Sequence, residues 1–219
     1  MQKTNFFPAL GLAVFLVFAC HPTTAIAVDP SPSATPLGVR IEKGGATFSV
    51  WAPNASDVGL VGDFNGWIEQ PLVKNEKTGY WRGFAVGAVA NQEYQYKIRW
   101  VGNGEGRLKN DPRADWIQNG RSVIYDHDAF DWGKEGFVPR DDITGLVYEL
   151  HIGAFYNPSP KTKRVATFDD AILKLDYLQK LGVDIIALMP INEYPTATSW
   201  GYNPEYLFAV ENDYCGPDG

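Results

Sequence analysis

Cysteine is scarce in this chain: its 219 residues include two, Cys20 and Cys215. Removal of a leader containing Cys20 leaves Cys215 alone, which excludes an internal disulfide and a cysteine-built zinc site. Clustered positive charge is also missing. Nineteen Lys and Arg face 26 Asp and Glu, for a net charge of −7. A nucleic-acid backbone requires grouped cations, so nucleic acid is not an expected partner. No loop carries the aspartate-rich pattern of a calcium site, and neither metal nor cofactor is expected. Long apolar runs are absent as well: Ala9 to Cys20 is twelve residues, against the roughly 20 that a membrane-spanning helix needs. What is present is the balance of a globular protein, 45% hydrophobic, 21% charged and 14% aromatic, which does not suit disorder or a coiled coil.

The first residues have the order of an export signal. Lys3 precedes the apolar run, and Ala25-Ile26-Ala27 supplies small residues for cleavage after Ala27. That cut removes one cation and no acid, taking the net charge to −8. A second reading stays open, cleavage before Cys20 with a lipid anchor on that cysteine and residues 21–36 as a Pro/Ser/Thr-rich tether. Phe18 is bulky for a position near such a cut. Both readings place the protein outside the cytoplasm, secreted, periplasmic or held at the cell envelope.

From Val39 to Asp131 the pattern is one of short strands and turns. Tyr94, Tyr96, Ile98 and Trp100 alternate with Glu93, Gln95, Lys97 and Arg99, a period of two with one buried face. Residues 46–52, 58–61, 81–86 and 122–125 also read as strands. Pro53-Asn54, Gly62-Asp63, Asn65-Gly66 and Gly102-Asn103-Gly104 are turn formers between them. This predicts an all-β sandwich of immunoglobulin-like size over 39–131, after a leader at 1–27 and a linker at 28–38.

Residues 132–145 read as a second linker, and the texture then changes. Residues 146–152 form a mostly apolar strand. Phe168, Ala171, Ile172, Leu175, Leu178 and Leu181 fall on one helical stripe, with Thr167 placed to cap its start and Gly182 its exit. Residues 183–191 are almost wholly apolar, as in a strand covered on both faces. Strand, helix and strand in this order predict a right-handed crossover with parallel strands. One such unit leaves its strands uncovered. A closed barrel of such units takes about 250 residues, far more than 146–219 provide, so these residues read as a truncated piece of something longer.

Several strings resemble a known family. Phe48-Ser-Val-Trp-Ala-Pro-Asn54 and Gly62-Asp-Phe-Asn-Gly-Trp67 are similar to the amino-terminal early-set module of α-glucan enzymes, with Asn110-Asp111-Pro112 and Phe130-Asp131-Trp132 near its end. Val147-Tyr-Glu-Leu-His-Ile-Gly153, Leu188-Met-Pro-Ile191 and Ser199-Trp-Gly-Tyr-Asn-Pro204 resemble the first turns of the α-amylase family barrel, above all in 1,4-α-glucan branching enzymes. The resemblance implies an early-set sandwich followed by the first β-α-β unit of an incomplete (β/α)8 barrel. It implies an α-glucan partner (starch, glycogen or maltooligosaccharides) and either branching or hydrolysis, with a non-catalytic glucan-binding module as the rival. The export signal suits a secreted starch or pullulan hydrolase better than an enzyme building internal glycogen. The family's catalytic carboxylates fall after Gly219, so no catalytic residue is assigned in this chain.

The resemblance also implies four substrate-binding residues. Tyr202 matches a tyrosine that stacks under the sugar at the cleavage point, with Trp200 beside it; Trp67 and Lys97 match glucan-contacting positions in related modules. Trp67 sits in a turn, where a large aromatic is hard to bury, and Lys97 lies on the polar face of its strand. Glu193 and Glu205 are read as ordinary hydrogen-bonded loop carboxylates, and Glu149 and His151 as a satisfied polar pair at the first barrel strand.

Overall fold

A computed structural model describes residues 37–133, 136, 145–196 and 198–214. The leader, Cys20, most of both linkers and Cys215 lie outside the described residues.

The amino-terminal strands are β1 (Gly38–Glu42), β2 (Gly45–Trp51), β3 (Asp57–Gly62), β4 (Gln70–Pro71), β5 (Val73–Lys74) and β6 (Tyr80–Val86). They are followed by β7 (Glu93–Trp100), β8 (Asn103–Lys109), β9 (Trp116–Gln118) and β10 (Arg121–Val123). Two antiparallel sheets result. One has the order β1-β2-β6-β5; the other runs β4-β3-β7-β10-β9, with β8 also paired to β7. Between them Ala46, Phe48 and Val50 from β2 meet Val58 and Leu60 from β3 and Tyr94 and Tyr96 from β7, all buried. The Phe48 and Tyr94 rings meet edge to face at 5.1 Å, and Tyr94 and Tyr96 at 5.9 Å, a geometry that adds about 0.5–1.5 kcal/mol per pair beyond area burial.

The alternation along β7 holds at Tyr94 and Tyr96, but Ile98 is only half-buried and Trp100, expected on the buried face, is exposed at the hairpin end of the strand beneath the Arg107 guanidinium. Tyr94 and Tyr96 are buried, while Glu93, Gln95, Lys97 and Arg99 lie on the opposite face. That face is half-buried under ion pairs instead of simply wet. Glu69 reaches over it to both Lys97 (3.3 Å) and Arg99, and Arg99 also holds Asp57 at 2.6 Å. On the inner side, Asp111 accepts from the hydroxyls of Tyr94 (2.9 Å) and Tyr96 (3.1 Å) and from the Arg113 amide (2.8 Å). A carboxylate sealed in this core is satisfied because three donors converge on it.

Strand β8 corrects the sequence reading. The sequence places Gly102-Asn103-Gly104 in a turn with no strand after it, whereas Asn103–Lys109 pairs with β7. Its residues are mostly exposed, so no apolar face marks it in the sequence. Strands β1, β4, β5 and β9 are also additions to the sequence reading; β4 and β5 have two residues each.

The second part contains β11 (Leu146–Leu150), α1 (Ile152–Phe155), α2 (Phe168–Ile172), α3 (Leu175–Leu181) and β12 (Val183–Leu188). β11 and β12 pair in parallel, as the crossover requires. Thr167 caps α2 through a capping box with Asp170, and Gly182 closes α3 in the left-handed conformation, φ 89°. The expected single helix is two, because the chain turns at Leu173-Lys174 between them. The six-residue stripe is correspondingly split: Ala171 and Leu178 are buried, but Ile172, Leu175 and Leu181 are exposed. Leu146, Val147, Tyr148 and Leu188 are exposed as well. Among the described residues, β11 and β12 each pair only with the other.

The two parts are docked directly. Ala114 and Ile117 of the sandwich pack with Tyr206 and Ala209. Asn110 donates to the Tyr206 hydroxyl at 2.7 Å, the Trp116 indole donates to Asn212 at 3.0 Å, and the Arg113 guanidinium lies 4.2 Å from the centre of the Phe208 ring. Among the described residues no helix is long and apolar enough to cross a membrane.

Candidate functional site

Parallel pairing brings the carboxyl ends of β11 and β12 to one edge, where Leu150 sits opposite Leu188 and the Met189 amide donates to the Leu150 carbonyl. The segments leaving the two strands therefore meet. After β11 comes His151; after β12 comes the long loop that carries Trp200 and Tyr202. Between them lies a cleft of about 600 Å³ lined by Glu149, His151, Met189, Tyr194, Ser199 and Trp200, among others. Trp200 is 74% exposed and Tyr202 65%. Trp200 lines the cleft and Tyr202 follows two residues on in the same loop; open aromatic faces of this kind are suited to the apolar C–H face of a sugar ring.

The loop is held at several points. Gly201 adopts φ +85°, and a Cβ there would collide with the Pro190 carbonyl, so only glycine lets the aromatic segment pass this close to the strand end. The Gly201 amide donates to Ser199 Oγ at 3.0 Å, and Ser199 Oγ bonds to Asn203. His151 Nε2 lies 2.8 Å from the Ser199 carbonyl and 3.4 Å from the Tyr214 hydroxyl. Glu149 is exposed, His151 turns to the loop, and His151 Nδ1 is buried without a hydrogen-bond partner.

A second cavity, about 430 Å³, opens where the loop meets the sandwich. Asn119 and Gly120 line one side, and Glu193, Glu205, Glu211 and Asp213 line the other. Glu193 accepts from the Asn212 amide at 2.9 Å; Glu211 accepts from the amides of Tyr194 and Asp213. Burial, reinforced by the neighbouring Glu211, Asp213 and Glu205 charges, pushes the Glu193 carboxyl up to about 7. The Glu193 and Glu211 carboxylates thus serve the backbone of their own loop. No group of three or more His, Cys, Asp or Glu among the described residues is arranged to hold a metal ion.

The remaining two predicted residues lie on the sandwich. Trp67 follows Gly66 in a tight turn, and both are left-handed, at φ 61° and 63°. Its indole donates to Asp63 at 3.0 Å, and the Arg121 guanidinium lies 4.3 Å from its ring centre, leaving Trp67 half-buried. Lys97 is committed to Glu69. Counted along β7, Lys97 is four residues from Glu93, the residue paired with Arg121, which is roughly 13 Å at strand rise. The structure thus gathers Trp200 and Tyr202 in one loop and places Trp67 and Lys97 in separate ion networks. Sequence reasoning missed the tie from His151 to Ser199 and the sandwich–loop junction, whose partners are 48 and 96 residues apart.

Residues 36–114 match the family model of carbohydrate-binding module 48, the isoamylase N-terminal domain. The matched residues take in strands β1 to β8 of the sandwich. The chain is 35% identical over 204 residues to the 1,4-alpha-glucan branching enzyme GlgB of Burkholderia lata, covering 85% of this chain and 27% of that protein. It is 32% identical to GlgB of Pseudoalteromonas atlantica, covering 83% and 26%. A product complex of the multi-modular glycogen-degrading pneumococcal virulence factor SpuA superposes with TM-score 0.64 at 25% identity, over 84% of this chain and 24% of that one. The chain therefore spans about a quarter of the length of these relatives. Its module and the residues after it are similar to the front of α-amylase-family enzymes.

Proposed function

We propose that these residues form the glucan-holding front of an α-amylase-family enzyme acting on α-1,4/α-1,6-glucans, with a branching enzyme as the nearest type. The observation that carries the reading is the exposed Trp200 in the lining of the cleft where the parallel strands end, with exposed Tyr202 two residues on in the same loop, docked on a sandwich that matches module 48. In this reading β11 and β12 are the first two strands of a (β/α)8 barrel, and the cleft lies on the face where barrel active sites are built. Branching relatives at 32–35% identity support transfer over hydrolysis. Both outcomes use one retaining mechanism, in which two carboxylates about 5–5.5 Å apart act as nucleophile and acid/base. Glu193 and Glu211 are occupied by backbone amides, so the described residues bind and orient the glucan while the reacting carboxylates come from elsewhere in the barrel. The charged, apolar and small-residue order of residues 3–27 supports a place outside the cytoplasm, with the lipid anchor at Cys20 as the rival form.

Electrophoresis in gels containing glycogen tests the reading. Retardation of the chain, lost in Trp200→Ala and Tyr202→Ala, is expected. Equal mobility with and without glycogen would reject it.

A further inference from the structure

His151 follows β11, half-buried in the lining of the cleft with its Nδ1 sealed and unpartnered, and the reading above gives it no contact with glucan. The Ser199 carbonyl can only accept, so the 2.8 Å contact requires the proton on Nε2. The same nitrogen faces the Tyr214 hydroxyl at 3.4 Å, and Tyr214 meets Tyr194 at 3.4 Å. The ring also packs edge-on against Tyr214, with centroids 6.1 Å apart. Tyr194 and Tyr214 are themselves buried in the core below the cleft. The imidazole is thus fixed from beneath, and its one strong bond points up to the first residue of Ser199-Trp200-Gly201-Tyr202-Asn203.

That residue is the knot of the loop. Its carbonyl is held by His151, and its hydroxyl receives the Gly201 amide and contacts Asn203. Trp200 and Tyr202 lie between these tied points, and both are exposed, with little packing of their own to place them. We infer that His151 is a positioning residue: its Nε2–H, by holding the Ser199 carbonyl, sets the Trp200 and Tyr202 rings as a rigid platform for a glucose unit. This rests on the glucan-binding reading above for the identity of the ligand, but not for the placement of the loop. An unfixed loop would lose conformational freedom on binding and so bind more weakly.

Two amide substitutions separate position from polarity. In His151→Gln the side-chain amide nitrogen reaches about as far as Nε2 and can donate to Ser199; in His151→Asn it reaches only as far as Nδ1. Hydrogen exchange at the amides of residues 200–203 reads the loop without any ligand, and a fluorescence titration with maltoheptaose reads the platform. In the Asn variant we expect exchange at these amides about three- to tenfold faster and affinity weaker by a similar factor, the equivalent of one lost hydrogen bond. The Gln variant should stay within about twofold of the native chain in both. Equal behaviour of Gln and Asn, or unchanged exchange in Asn, would overturn the inference. If the native chain binds no maltoheptaose, the glucan reading fails, and exchange alone then decides the role of His151. Should Asn unfold the chain while Gln does not, the Gln variant together with His151→Phe, which keeps a ring but cannot donate to the Ser199 carbonyl, gives the same comparison; a slow-exchanging, tight-binding His151→Phe chain would overturn the inference.

Discussion

The hydroxyl of Tyr94 donates to the carboxylate of Asp111 at 2.9 Å, with both side chains sealed from water. The bond joins the central strand of one sheet to the turn at the exit of β8, and Tyr96 doubles it. Burial pushes the Asp111 carboxyl above its usual range and both tyrosine hydroxyls well above theirs, so the phenols stay protonated donors. Asp111→Ala orphans two buried hydroxyls. Each costs about 1–3 kcal/mol when left unpaired, so the urea midpoint of the sandwich transition should fall clearly. An unchanged midpoint would show that water replaces the carboxylate.

The Glu193 carboxyl gives a pH dependence of defined sign. Its native value, about 7, lies above the ordinary 4.5, so the folded chain holds this proton more tightly than the unfolded one. Its contribution to stability is full below about 4.5 and lost as pH rises through 7. Glu193→Gln removes this dependence. The melting temperature of the native chain, relative to the variant, is expected to fall between pH 5 and pH 8; parallel profiles would contradict it.

Trp67 tests whether a strained residue serves the fold or the ligand. A left-handed bulky residue costs roughly 1–2 kcal/mol, here held by Asp63 and Arg121. Trp67→Gly relieves the backbone, whereas Trp67→Ala keeps the strain and loses the contacts. The Gly variant should therefore melt higher than the Ala variant. With Arg121 over its ring, Trp67 should contribute less to glycogen retardation than Trp200; a larger loss in Trp67→Ala would reverse that order.

Residues 37–131 expressed alone should fold cooperatively, because the sandwich core is closed by its own side chains. The fragment should nevertheless be less stable than the longer chain, since cutting it free exposes Ala114 and Ile117 and removes the partners of Asn110, Arg113 and Trp116. A broad, non-cooperative melt followed by tryptophan fluorescence would show that the junction is part of the folding unit.

Local pattern reported local structure well here. The burial of Tyr94 and Tyr96 along β7, the Thr167 cap and the Gly182 exit each depend on neighbours within a few residues, and each is found where the sequence indicates; Trp100, at the end of the same strand, is exposed instead of buried. Strand β8 was illegible because it pairs by backbone while exposing its side chains, and the break at Leu173-Lys174 carries neither glycine nor proline to mark it. The linker over 132–145 suggested two separate parts, whereas Tyr206, Phe208 and Asn212 bind the sandwich through partners about a hundred positions away. The site divided in the same way. Trp200 and Tyr202 were legible as a motif, but the histidine that ties their loop was not, because that contact exists only once β11 and β12 are side by side.

Isothermal titration of the chain with maltoheptaose, repeated on Trp200→Ala, Tyr202→Ala and Trp67→Ala, decides whether the loop after β12 holds glucan. Weak, saturable binding to the native chain is expected, weakened about two- to tenfold by Trp200→Ala and by Tyr202→Ala, as for one aromatic contact, and changed less by Trp67→Ala. Binding untouched by either loop substitution, or no heat of binding to the native chain at all, would contradict this.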